Sequence, residues 1–360
     1  MHMAKHKNQL LNLCRCFRGD LPEDVDWMPL IDLANRTLTT TALMDFVERH
    51  PNAVPEDVGQ YLREIFQRNL TRNRRLASQL NEAVWTLNTQ GIAPVLMKGS
   101  AFLMEARGDD IGRRLISDLD VLVSPEEKHS ALNCLFDAGY RIHDQTLGEA
   151  TRWHADLQRP DDVGMIDLQQ DPPGHAFFYR SSGNLKHHCH FISGEASAYT
   201  PDPTFHALML IIHDQFQDSD YWTGHIDLRH LLDLRDLARS TDGIDWQRLA
   251  SLAPSKLARN ALETQLVTLH ALLDVDVPLA MRNRLAPKLQ TWRRRLQSRA
   301  PALRPALLPM MLLDFRNYRT EIGAEERARK QLKPKKWVLP KATSMRFLFT
   351  LAGEQRIGKV

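Results

Sequence analysis

The 360-residue sequence predicts an α+β fold: a small mixed β-sheet core flanked by N-terminal and C-terminal helical regions. Three observations predict it. Stretches near both ends repeat apolar residues at helical intervals, whereas Ile92 to Gln169 carries short apolar or alternating runs of strand length. Turn residues punctuate that middle stretch closely. Strands gathered in one region between helical ones favour α+β over a doubly wound sheet.

Each element has its own signal. From Val58 to Leu87, Leu62, Ile65, Phe66, Leu70, Leu76, Leu80, Val84 and Leu87 recur at helical spacing. The Arg, Gln and Asn residues between them read as a solvated face, and Gly91 ends the pattern. Ala93 to Met97 is a strand candidate, followed by Lys98-Gly99-Ser100 and a helix over Ala101 to Arg107. Leu119 to Val123 is the second strand. Pro125 suits the first turn of a helix that runs to about Ala138 and closes at Gly139. Tyr140 to His143, Thr151 to Gln158 and Met165 to Gln169 read as further strands, the last two a hairpin around Pro160-Asp161-Asp162. Beyond these, Pro203 to Phe216, Ile226 to Ala238, Leu262 to Leu272 and Pro309 to Phe315 read as helices. The expected organisation is a helical region over 1–90, a core over 91–200, a second helical region over 201–320 and a basic tail over 321–360.

Composition excludes several classes. Hydrophobic residues make up 43% and charged residues 25%, as in soluble globular proteins rather than disordered ones. No run approaches the roughly 18 apolar residues of a membrane span, and the first twenty residues lack a compact apolar segment, so the expected location is the cytoplasm. The four cysteines lack zinc-ribbon spacing and read as reduced thiols. A net charge of +3 makes no strong claim on nucleic acid, although 321–360 holds ten Lys or Arg against four Glu.

Ser117-Asp118-Leu119-Asp120-Val121-Leu122-Val123 carries most of the chemistry. Side chains alternate along a strand, so Asp118 and Asp120 are expected on one face, about 6–7 Å apart. Two like charges held together call for a compensating cation, which makes the pair a candidate metal site. Lys98-Gly99-Ser100 follows a strand and opens a helix, where a glycine admits close backbone approach and free N–H groups attract phosphate. Arg114 precedes Asp118 by four residues. Asp167, between Ile166 and Leu168, is expected on the polar face of its strand as a third carboxylate.

This order of strand, Lys-Gly-Ser, helix, Arg-x-x-Ser-Asp-x-Asp, strand, helix, Gly-Tyr and a later acidic strand resembles the nucleotidyltransferase superfamily, which includes DNA polymerase beta and the kanamycin-modifying enzymes. It is most similar to the bacterial branch described mainly as uncharacterised nucleotidyltransferase family proteins. The resemblance covers Ile92 to Gln169 and extends to His213 and the Arg229 to Leu234 stretch. It implies that Lys98, Gly99, Ser100 and Arg114 bind nucleotide and that Asp118, Asp120 and Asp167 are catalytic and hold two Mg2+ ions, with Mn2+ as a substitute. The implied reaction moves a nucleoside monophosphate from an NTP, ATP among them, to an acceptor hydroxyl and releases pyrophosphate. The helical flanks are expected to form the acceptor pocket, and the acceptor is open among small molecule, peptide, protein and RNA. A toxin-like transferase acting on tRNA or protein, or a non-catalytic nucleotide-binding regulator, are the alternatives. One departure is Gln169, where relatives often carry histidine two places after the third acid.

Other features read more plainly. In Lys186-His187-His188-Cys189-His190 strand alternation lets only pairs share an ion, short of a four-ligand zinc site. His206 and His213 read as packed or capping histidines, and the basic end as a mobile solvated tail.

Overall fold

In a computed structural model, the structure describes residues 9–22, 25–146, 153–172, 185–311, 314, 318, 320 and 358–360. The predicted class is the observed one: a mixed sheet with helices on both sides in sequence. The strands are β1 (Val95–Leu96), β2 (Leu119–Leu122), β3 (Arg141–Gln145), β4 (His154–Gln158), β5 (Ile166–Gln169), β6 (Cys189–Ile192) and β7 (Ala198–Pro201). They lie in the order β3-β4-β5-β2-β1-β7-β6, with β2 parallel to β5, β1 parallel to β7 and the other neighbours antiparallel. In the central strands Leu119, Val121, Ile166 and Leu168 are buried, as alternation requires of a sheet packed on a core.

The N-terminal helices are α1 (Gln9–Arg18), α2 (Trp27–Arg36), α3 (Met44–Arg49) and α4 (Glu56–Asn88). Within the sheet region come α5 (Lys98–Glu105) and α6 (Lys128–Asp137). The C-terminal set is α7 (Pro203–Ile212), α8 (Asp220–Thr223), α9 (Leu228–Arg239), α10 (Trp246–Ser251), α11 (Lys256–Leu273), α12 (Leu279–Arg282), α13 (Leu285–Arg299) and α14 (Arg304–Leu307). Caps fix several starts: Asp202, Asp227, Asp245 and Ser255 each accept a backbone N–H from the first turn of α7, α9, α10 and α11. None of the described helices is long and apolar enough to cross a membrane.

Helix α4 departs from its expected solvated face. Asn69, Asn73 and Gln79 are buried, and each turns its amide onto main-chain oxygen. Asn69 Nδ2 donates to the carbonyls of Gly112 (2.8 Å) and Arg114 (3.0 Å), and Asn73 Nδ2 to those of Ile111 (2.7 Å) and Arg114 (2.8 Å). Arg72 donates to the carbonyls of Ile116 and Ser117, and Gln79 Nε2 to that of Gly164 at 2.7 Å. Carbonyls in an irregular segment lack ladder partners, and buried ones need donors. One helix therefore shapes both the loop before β2 and the turn before β5.

Other expectations shift by local geometry. The strand expected over Ala93 to Met97 pairs only at Val95 and Leu96, and Pro125 lies in a turn before α6 rather than inside it. The helix expected over Pro203 to Phe216 ends at Ile212 and passes into a π-turn over His213–Gln217. Residues 308–311 form a 3-10 turn, and most of the rest of Pro309 to Phe315 lies outside the described residues. Residues 321–357 of the expected tail also lie outside them. Residues 358–360 pack on the body: Gly358 N donates to Arg36 O at 2.7 Å, while Val360 and Ile226 exchange two backbone hydrogen bonds.

Candidate active site

Met97 at the end of β1 ties back to β2 by donating its N–H to Asp120 O at 3.2 Å, which sets the start of α5 beside the carboxylates. Lys98 takes a left-handed backbone, with φ of 47°. A non-glycine residue adopts it only where surroundings hold it there. Its Nζ donates to Asp120 Oδ1 at 2.8 Å. Burial pulls this ammonium down, but Asp120 outweighs burial and holds it above its ordinary value. At Gly99 a Cβ would meet Arg114 Nη1 and Ile116 Cγ2, each at 2.8 Å, so only glycine lets the helix start approach the arginine. Ser100 is fully buried, and its Oγ has no hydrogen-bond partner among the described residues.

Asp120 lies on β2 and is 3% exposed. Asp118 sits just before the strand, half-buried, and accepts from Ser117 Oγ at 2.7 Å. The expectation that both aspartates alternate along one strand is thus met only by Asp120. Asp167 on β5 is directly across from Asp120 in the parallel register. Burial pushes its carboxyl up to about 7, Asp120 adds to the rise, and Lys98 opposes it. Its Oδ1 is buried without a hydrogen-bond partner among the described residues. Gln169 donates to Asp167 Oδ2 and reaches Asp120 Oδ1 at 3.5 Å, so the residue that departs from the family pattern spans both acids.

A polar cavity of about 130 Å³ gathers Lys98, Gly99, Arg114, Asp118 and Asp120 against His213, Arg229 and His230 from the C-terminal region. Asp167 and Ser100 are not on its walls. Arg114 is held by Asp233 of α9 in a fork: Nε donates to Oδ1 and Nη2 to Oδ2, each at 2.8 Å. Burial favours loss of that arginine's charge, and Asp233 more than restores it. His230 Nδ1 lies 2.5 Å from Asp214 Oδ1. Burial depresses this imidazole, yet Asp214 and Asp227 hold it above the usual histidine value. Burial and then Lys98 push His213 below it.

Behind this wall, Lys359 Nζ lies 2.7 Å from Asp220, 2.9 Å from Asp218, 3.3 Å from Asp227 and 3.7 Å from Asp214. Two groups of three ligand-bearing side chains converge within 4.8 Å among the described residues: His213, Asp214 and His230, and Asp214, Asp218 and Asp220. Neither is the Asp118, Asp120 and Asp167 set, whose nearest cationic partner here is Lys98 on Asp120. The resemblance had pointed to Gln169 and the Arg229 to Leu234 stretch without giving them roles, whereas Lys359 joined the site only in three dimensions. Asp167 and Gln169 do share the i, i+2 spacing that puts two strand residues on one face. In the histidine-rich segment, His188 stacks on Phe205 and its Nδ1 lies 2.7 Å from Arg248 Nη2. Cys189 turns its Sγ to Leu185 O.

A family model described as an uncharacterised nucleotidyltransferase matches residues 23–274. No curated protein and no solved structure matches the chain.

Proposed function

Because the chain belongs to this nucleotidyltransferase family and is a transferase, we propose that it moves a nucleoside monophosphate from an NTP to an acceptor hydroxyl at Asp118, Asp120 and Asp167. The observation that carries the reading is the cross-strand pairing of Asp120 with Asp167 beside the Lys98-Gly99 helix start. Two buried carboxylates facing each other repel unless a cation or proton intervenes. Hard oxygen donors with one carboxylate oxygen lacking a partner fit Mg2+, with Mn2+ as substitute. When bound, such ions neutralise phosphate charge and ease ionisation of the acceptor hydroxyl.

The chain's own groups divide the remaining work. Lys98, the N–H groups at the start of α5 and Arg229 bind the triphosphate and spread its charge. Asp233 orients Arg114 so that its Nη1 lies against Gly99. Asp167 takes the proton as the acceptor oxygen bonds to the α-phosphorus and the bond to the departing pyrophosphate breaks. Gln169 keeps the two acids in register.

The test is incubation of the purified protein with each NTP labelled at the α-phosphate, Mg2+ and a cell extract. Label is expected to pass to a component of the extract. Loss of outer-shell metal partners costs 10–100-fold, so Asp118→Asn and Asp120→Asn are expected to lose more than about 100-fold while melting normally. An undiminished rate in either folded variant would sink the assignment.

A further inference from the structure

We propose that the NTP lies across two adjoining cavities, with its phosphates in the polar one over Asp118 and Asp120 and its nucleoside in a larger, mainly apolar one bounded by the N-terminal helices, α5 and α9. This rests on the nucleotidyltransferase reading and says where the nucleoside goes.

The larger cavity measures about 350 Å³, within the range of small-molecule sites. Ala42, Phe102, Leu232 and Leu237 give it apolar walls. Three residues line both cavities, and all are cations: Lys98, Arg114 and Arg229. A ligand spanning that junction carries its negative charge there. Two of the three are already neutralised, Lys98 by Asp120 and Arg114 by Asp233. Deeper in the larger cavity, Arg113 is paired with Asp45 and Asp110, and Arg235 with Asp236. Arg229 differs. Among the described residues it makes no ion pair, and its Nε is buried without a hydrogen-bond partner. A surplus guanidinium at the junction recognises phosphate.

A second polar group waits in the larger cavity. His206 lines it, and the ring Nε2 is buried without a partner among the described residues. Burial pushes this imidazole down to about 4, so it meets a ligand as a neutral ring. A neutral ring nitrogen pairs with a ribose hydroxyl or the edge of a base. An anionic end at Arg229, a flat body against Phe102 and a hydrogen-bonding group at His206 describe a nucleotide.

Titration calorimetry with Mg2+ tests this, using ATP, GTP, CTP and UTP in turn and inorganic tripolyphosphate as the base-free probe. Ala42→Trp and Leu237→Trp fill the larger cavity from the N-terminal region and from α9, both at partly exposed positions. Stacking against an aromatic ring contributes enough that its loss weakens nucleotide binding about 10–100-fold, while tripolyphosphate stays within about twofold of the wild type. Arg229→Gln is expected to weaken both probes by a similar factor. Thermal melts accompany each variant, and Ala42→Leu and Leu237→Phe replace any that unfolds. Unchanged nucleotide affinity in folded cavity-filling variants overturns the proposal, above all if acceptor labelling is lost instead. Equal weakening of nucleotide and tripolyphosphate by those variants overturns it as well. A wild-type protein that binds neither probe with Mg2+ or Mn2+ defeats the underlying transferase site rather than the placement of the nucleoside.

Discussion

Asp167 shares its patch of sheet with Asp120 and is pushed up to about 7 by burial and by that neighbour. A carboxyl at this value is about half protonated at neutral pH, whereas a metal ligand must be ionised. On the proposed reading, metal uptake expels its proton. Below pH 7 Mg2+ affinity is expected to fall by up to about tenfold per pH unit, and above it to level off. Calorimetry in buffers of different ionisation enthalpy reads the proton directly; Asp167→Asn should abolish the release. A pH-independent Mg2+ affinity between 6 and 8 would show that Asp167 is not a ligand. Gly99 offers a second check at this scale. Gly99→Ala places a methyl 2.8 Å from Arg114 Nη1, so the helix start must back away and nucleotide affinity drop while the fold persists.

At the scale of the element, α4 does what its sequence conceals. Its apolar spacing was legible, since 3.6-residue periodicity reports burial directly. The fate of Asn69, Asn73 and Gln79 was not, because an amide facing water and an amide facing a buried carbonyl leave the same letter in the same place. Removing such a donor strands buried carbonyls at about 1–3 kcal/mol each. Asn73→Ala is expected to destabilise by about 1–3 kcal/mol in urea unfolding and to lower transfer, because the Ile111 carbonyl loses its side-chain donor while Arg114 O keeps Asn69. A change below about 0.5 kcal/mol would mean that water replaces the amide. Similar limits apply to the strands that carry the two aspartates. Alternation put Asp120 and Asp167 on polar faces, but their direct pairing depends on a register between segments over forty residues apart. The π-turn at His213–Gln217 escaped for a related reason: apolar spacing continues through it while the hydrogen bonds shift.

At the scale of the molecule, Lys359 closes the fold. It sits among four buried or half-buried carboxylates belonging to the wall that carries His213 and His230. The basic composition of 321–360 read as a solvated tail, and no local pattern could have said that one of its lysines is buried 139 residues from Asp220. Burial lowers this ammonium, but Asp220 and its neighbours hold it well above its ordinary value. A raised folded value means its stabilisation is fully present across neutral pH and fades only in strong alkali. Lys359→Met leaves the carboxylates uncompensated, which costs about 3–5 kcal/mol where they are ionised. They can take up protons in acid, so the loss is expected to be larger at pH 8 than at pH 5. Melting curves at both values check this, and equal losses would point to packing rather than charge.

The clamp that α4 places on the loop before β2 also bears on how such an enzyme can diverge. Asn69, Asn73 and Arg72 hold that loop by its carbonyls, which every residue possesses. Its path therefore rests on those carbonyls and on Gly112, where a Cβ would meet Phe66 and Leu70 at about 3 Å. Asp110, Arg113 and Leu115, which face the larger cavity, can be exchanged without disturbing the path that delivers Asp118. On the proposed placement of the nucleoside, mutagenesis of these three positions is expected to alter nucleotide choice with transfer intact.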